Sequence, residues 1–204
     1  MRLRTLLLAA VSALLAGCPR PPPAVPPAED SAALEAGLVA AERVTFRVQA
    51  YTPAGRPPPT HDLDVRVVLG PGDRVAVSAT GQVGGRPVQV GDTRAAPRDR
   101  VVGRLLRDGA LALVRPLAAG GAPDLSPTAR RPVTASGQGW EFYGEDARGV
   151  RFREADTLAT LWIGDASGRL LARTTRRADE SPVAFESYSE WSVAPRVASS
   201  GGAR

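Results

Sequence analysis

The chain has 204 residues, 26 basic against 21 acidic side chains, one His, one Cys and 43% apolar residues. All the basic residues are Arg, Asn is absent, and Gly and Pro fill 21 and 19 positions, a bias toward GC-rich codons that discounts the pI of 10.5. This composition excludes a polytopic membrane protein. One Cys and one His exclude an internal disulfide and a zinc site built from several such ligands. No metal and no cofactor is expected.

Residues 1–17 carry Arg2 and Arg4, then an apolar run over 6–15, then small residues, the three-part layout of a secretory signal peptide. The apolar run is about half of the ~20 residues needed to cross a bilayer as a helix, so it reads as a cleaved segment. It ends in Leu15-Ala16-Gly17-Cys18, which resembles the bacterial lipobox at all four positions. That resemblance implies a diacylglycerol thioether on Cys18, which becomes the first residue of the processed chain and is acylated on its amine. It also implies a sorting rule in which Asp after the lipidated Cys retains the protein at the inner membrane. Pro19 stands there, so the expected location is the periplasmic face of the outer membrane. Several acyl chains at ~0.8 kcal/mol per buried methylene hold a domain on the membrane more firmly than one chain does. Loss of the signal removes two Arg and leaves a formal charge of only +3, too small to imply nucleic acid.

Residues 19–30 contain six prolines in twelve positions. Pro fixes φ near −65°, so this stretch with Cys18 reads as an extended tether, 18–30, reaching roughly 35 to 40 Å at ~3.1 Å per residue. Residues 198–204 form a Ser/Gly tail. The remaining 31–197 suffice for one domain.

The domain opens with a helix from Ser31, a capping residue, to about Arg43, with Leu34 and Leu38 on one face. The period then changes from helical to two. Val44, Phe46 and Val48 alternate with polar residues, as do Leu63, Val65, Val67 and Leu69, then Val75, Val77 and Ala79, with Gly84-Gly85 turning the chain toward Val88 and Val90. This is an antiparallel meander with one wet face. Over 98–117, Val102, Leu105, Leu106 and Leu113 recur at helical spacing, with Arg104, Arg107 and Arg115 directed away from them. Gly109 and Pro116 weaken or break this central helix, so two shorter pieces are open. Strand patterns resume at 133–143, 150–154, 158–163, 170–175 and 183–191.

This order of helix, meander, helical stretch and second meander is similar to that of the LolA and LppX–LprG lipoprotein-carrier superfamily. Leu161-Trp162-Ile163-Gly164-Asp165-Ala166-Ser167-Gly168-Arg169-Leu170 resembles its strand-turn-strand pattern Leu-Trp-Ile-Asp-Pro-x-Thr-Gly-Leu-Pro, departing at Gly164-Asp165 and at Arg169-Leu170. Ser189-Glu190-Trp191 is similar to its closing element. The resemblance implies an α+β fold, a curved antiparallel sheet forming a half-open barrel, with the N-terminal helix and the central helical stretch on the concave face.

Apolar side chains on such a face leave room for acyl chains if the helices do not fill it. The candidate lining is Phe46, Val48, Val65, Val67, Val77 and Trp162; the same residues could instead form a packed core. No nucleophile-elbow, phosphate-loop or His-Glu-x-x-His motif occurs, so no catalytic residue is assigned. His61 follows Pro57-Pro58-Pro59-Thr60 in an expected exposed loop. The carboxylate pairs Asp62/Asp64, Glu145/Asp146 and Asp179/Glu180 suit turns and surfaces. Arg130-Arg131, Arg176-Arg177 and Arg151-Phe152-Arg153 suit a solvated face or anionic headgroups. The expected function is therefore non-catalytic: a membrane-anchored envelope lipoprotein that binds or transfers a lipid or acyl group. The alternative is a structural or sensory lipoprotein that offers its surface to an envelope protein.

Overall fold

The computed structural model describes residues 27–52, 57–125, 131–154 and 156–196, with the side chains of 27–30, 131–138 and 154 left aside. The signal segment, Cys18, most of the tether, Arg130 and the 198–204 tail lie outside the described residues.

The first helix, α1, spans Pro27–Ala40 and so starts four residues before Ser31 and ends before Arg43. Strands β1 (Ala41–Tyr51), β2 (His61–Leu69), β3 (Arg74–Val83) and β4 (Arg86–Ala95) follow as a meander, with Gly84-Gly85 in the β3–β4 turn. Helices α2 (Arg98–Asp108) and α3 (Leu111–Ala118) come next. The second meander is β5 (Arg131–Phe142), β6 (Glu145–Glu154), β7 (Thr157–Gly164), β8 (Leu170–Arg177) and β9 (Pro182–Pro195). Pairing of β1 with β9 joins the two meanders into one open antiparallel sheet of order β4-β3-β2-β1-β9-β8-β7-β6-β5. The fold is α+β, a curved, unclosed nine-stranded sheet with three helices among the described residues.

Period-two patterning sets which face is buried. In β2, Leu63, Val65, Val67 and Leu69 are buried while Asp64 and Arg66 are exposed. These residues, with Val44, Phe46 and Val48 of β1 and Val75 and Val77 of β3, meet Val102, Leu105 and Leu106 of α2 and Leu113 and Val114 of α3 in one core. Burying each such side chain stabilises the fold by ~1.5 to 3 kcal/mol. Arg98 fixes α2 to the sheet by donating to the carbonyls of Leu69 (2.5 Å) and Gly70 (2.7 Å).

The central helical stretch breaks at Gly109, whose φ of 88° and ψ of 168° belong to a region open almost only to glycine. Pro116 lies inside α3 instead of ending it, and its missing N–H forfeits one helix hydrogen bond.

The C-terminal half of the sheet also curls back on itself. Three strands separate β5 from β9, about 19 Å at ~4.8 Å per step, yet the Phe142 and Phe185 rings stand 6.3 Å apart. Register shifts in β5 between Pro132/Thr134 and Ser136/Gly139 supply the local bends. The curl encloses a second cluster, Ala147, Trp162, Leu171 and Ala172, with Phe142 and Phe185 against it.

Candidate functional site

Five of the six residues expected to line a cavity are core residues. Phe46, Val48, Val65, Val67 and Val77 are 0 to 5% exposed and pack with α2 and α3 in one cluster. The Phe46 ring is wedged between Tyr188 (centroids 5.6 Å) and Trp191 (4.6 Å). Trp162 does not join them. It belongs to the second cluster, on the opposite face of the sheet, because β7 alternates Leu161 and Ile163 into the main core and Trp162 away from it.

One groove with apolar side chains in its walls lies against α1. It has a volume of about 570 Å³ and runs between α1 and the β7–β8 turn, with Leu34, Leu38, Ile163 and Val193 among its walls and Arg148 and Arg169 at its rim. The turn is held rigidly, since Glu145 accepts from the amides of Ala166 (3.0 Å) and Ser167 (2.6 Å). Arg148 pairs with Asp165 of the same turn. Gly37 faces this groove from α1. A Cβ there would meet nothing within 4 Å, and the backbone is helical, so neither packing nor conformation calls for glycine. Glycine within a helix costs ~1 kcal/mol relative to Ala, and what it leaves here is open space. Leu34 and Leu38 mark one helical face in the sequence, and a glycine at 37, where a helix favours alanine, is the local sign of the groove.

A second concavity, about 310 Å³, lies under the helix break and includes Arg104, Asp108, Arg115, Arg173 and Glu186 in its walls. Glu186 and Tyr188 share the inner face of β9, and both are buried. The Tyr188 hydroxyl donates to the Glu186 carboxylate, and the Ala110 N–H is shared between Glu186 Oε2 (3.2 Å) and the Tyr188 oxygen (3.1 Å). The carboxylate thus sits at the start of α3, where the positive end of the helix dipole favours it. Burial pushes the Glu186 carboxyl above its ordinary value, against the pull of Arg173 and the Tyr188 hydroxyl. Burial, then the neighbouring carboxylate, pushes the Tyr188 phenol well up. Arg173 is turned inward and donates to the Arg107 carbonyl at 2.9 Å. These polar groups tie the helix break to the sheet.

His61 is not in a loop. It opens β2 opposite Ala50 and is partly buried. The Thr60 hydroxyl donates to the Ala50 carbonyl (3.0 Å), so it accepts from His61 Nδ1 (3.0 Å), while Arg115 approaches Nε2 at 3.5 Å. Burial and then Arg115 lower the imidazole pKa, which keeps this ring neutral. Asp62 takes a bidentate bond from Arg47 (2.8 and 2.9 Å), and Asp64 is exposed. Asp179 closes a turn with Ser181, and Glu180 faces Arg176 at 3.5 Å. Arg151 and Arg176 come together beside Trp140 and Trp162 on the outer face, while Arg153 and Arg177 are exposed. Among the described residues no three His, Cys, Asp or Glu side chains gather, and no helix is long and apolar enough to cross a membrane.

No protein-family model matches this chain, and no curated protein matches its sequence. Among solved structures, MucB is similar at 12% identity over 84% of this chain and 61% of that chain, with a TM-score of 0.46. The Mycobacterium tuberculosis lipoprotein LppX is similar at 11% identity over 80% of this chain and 93% of that one, with a TM-score of 0.42. A LolA superfamily protein from Nitrosomonas europaea is similar at 12% identity over 86% of this chain and 96% of that one, with a TM-score of 0.32. The chain spans about three fifths of the length of the MucB chain. At these scores the likenesses are of general shape, and the fold assignment rests on the strand order and helix placement of this chain itself.

Proposed function

We propose that this chain is an envelope lipoprotein, anchored through Cys18 on the periplasmic face of the outer membrane, that holds a lipid or acyl group without catalysing a reaction. The observation that supports the reading most is the groove beneath α1, with an apolar floor, two guanidinium groups at its rim and a helical glycine opening into it. Its volume falls within the ~300 to 1,000 Å³ of ordinary ligand sites. Each methylene taken out of water there is worth ~0.8 kcal/mol, and an anionic head at the mouth would meet Arg169, Arg148 being paired with Asp165. This moves the site from the helix-covered face of the sheet, where the side chains pack together, to the groove against α1.

The test is a titration of residues 18–204, carrying Cys18→Ser to keep the chain unlipidated, with palmitate and with lysophosphatidylglycerol. Gly37→Leu places a side chain in the groove and should weaken binding at least tenfold while leaving the fold intact. Undiminished binding in that variant, or none in the unsubstituted chain, would refute the reading. The second result would turn attention to an envelope protein partner.

A further inference from the structure

We infer that the curled C-terminal half of the sheet carries a second binding site, an aromatic cleft that takes a flat ring bearing an anionic group. Alternation on an antiparallel sheet with one packed face predicts polar side chains on the other. The outer face of β1 and β2 obeys, with Thr45, Arg47, Asp64 and Arg66. The outer face toward β5 does not. There Trp140, Phe142, Trp162 and Phe185 come together, and Trp140 remains 50% exposed. Beside it lies a cavity of about 290 Å³ whose walls include Phe142, Pro182, Ala184 and Phe185, with Arg176 at the edge.

The ring geometry selects the ligand. Trp140 and Phe142 are 6.2 Å apart with planes 22° from parallel, and Phe142 and Phe185 are 6.3 Å apart at 21°. Both pairs are near parallel, and another flat ring can add an offset-stacked or edge-to-face pair to them, whereas a flexible chain gains only contact area. The cavity also has about half the volume of the groove beneath α1. The charge at its edge is available. Arg176 meets Glu180 only at 3.5 Å, with both side chains about half exposed, so an incoming anion displaces little. Arg151 lines a smaller neighbouring cleft together with Arg176, Glu180, Trp140 and Trp162. This site is independent of acyl binding beneath α1.

The three tryptophans make the test residue-specific. Trp140 lines the cavity and Trp162 packs against Trp140 with ring centroids 5.6 Å apart, while the Trp191 indole donates to the Leu170 carbonyl at 2.8 Å. Residues 18–204 with Cys18→Ser, labelled with ¹⁵N, would be titrated with 2-naphthoate, decanoate and neutral 2-naphthalenemethanol while the three indole N–H signals are followed. We expect saturable shifts of the Trp140 and Trp162 signals with 2-naphthoate, a stationary Trp191 signal, and at least tenfold weaker binding of decanoate. Trp140→Ala should cost at least tenfold, and Arg176→Gln should weaken 2-naphthoate several-fold without changing 2-naphthalenemethanol. Phe185→Leu, which keeps an apolar wall and loses a ring, should weaken both aromatic probes if Trp140→Ala proves poorly folded. Absence of saturable shifts, equal affinity for decanoate, or unchanged affinity in the ring variants would overturn the assignment.

Discussion

Replacing Gly109 by Ala should be among the most damaging single-methyl additions in this chain. Two costs act together. The backbone at φ 88° and ψ 168° lies where a Cβ is strained, which costs ~1 to 3 kcal/mol. The added Cβ would also overlap the Glu186 carboxylate, which is held from the other side by the Tyr188 hydroxyl and the Ala110 N–H. Moving it away weakens hydrogen bonds to a buried acid, each worth ~1.5 to 3 kcal/mol. The expected loss is therefore about 3 to 5 kcal/mol. Urea denaturation of residues 18–204 with Cys18→Ser, followed by tryptophan emission and far-UV circular dichroism, measures it through the shift in midpoint at unchanged slope. A loss below about 1 kcal/mol would mean that the helix break and the buried carboxylate are not mechanically joined as described.

Glu186→Gln should change the pH dependence of stability. A carboxyl raised above its ordinary value of 4.5 contributes stability that is fully present below that value and lost as pH rises through its folded value. The unsubstituted chain should thus lose ground to Glu186→Gln as the pH climbs from acid, and parallel stability curves would contradict this. Asp62 has the opposite sign, because the Arg47 guanidinium lowers it below 3.8; its contribution is present above that value and fades as pH falls. With Arg47 40% exposed, Asp62→Asn should cost only ~1 kcal/mol or less near neutrality, read in the same assay. Gly37→Ala should raise stability by up to ~1 kcal/mol, and a loss would show that α1 needs glycine for packing. Trp162→Ala should cost ~3 to 5 kcal/mol, since this ring is 6% exposed within the second cluster, and a change under 1 kcal/mol would show that the curl is not held by it.

Much of the sheet was legible because period-two alternation survives wherever one face is wet. Val44, Phe46 and Val48 announce β1, and the sequence from Leu63 to Leu69 announces β2, with the buried face correctly assigned. The sequence marks Gly109 as a weak point and Pro116 as the expected end or kink, with two shorter helices open, whereas the chain breaks at Gly109 and carries Pro116 inside α3. Gly109 lies against the buried Glu186, a residue seventy-seven positions away, whose carboxylate a Cβ there would overlap. Alternation also misassigned Trp162 as a companion of Phe46. Strand residues one apart point to opposite faces, but β7 is buried on both, so its apolar run from Leu161 to Ile163 carries no face label. The prolines before His61 suggest a loop, whereas pairing with Ala50 brings it into β2. The groove is illegible in the sequence for a different reason. It is made by the meeting of α1 with the β7–β8 turn, and no single segment carries a sign of that contact beyond a glycine where a helix would favour alanine.

Native mass spectrometry on residues 18–204 with Cys18→Ser, purified from a bacterial periplasm without detergent, tests acyl binding beneath α1 most directly. The predicted result is one lipid or fatty acid per chain, retained by the unsubstituted protein and by Trp140→Ala, and lost from folded Gly37→Leu. An empty protein that also takes up no added palmitate or lysophosphatidylglycerol would contradict the proposal, as would a bound lipid that Gly37→Leu leaves in place.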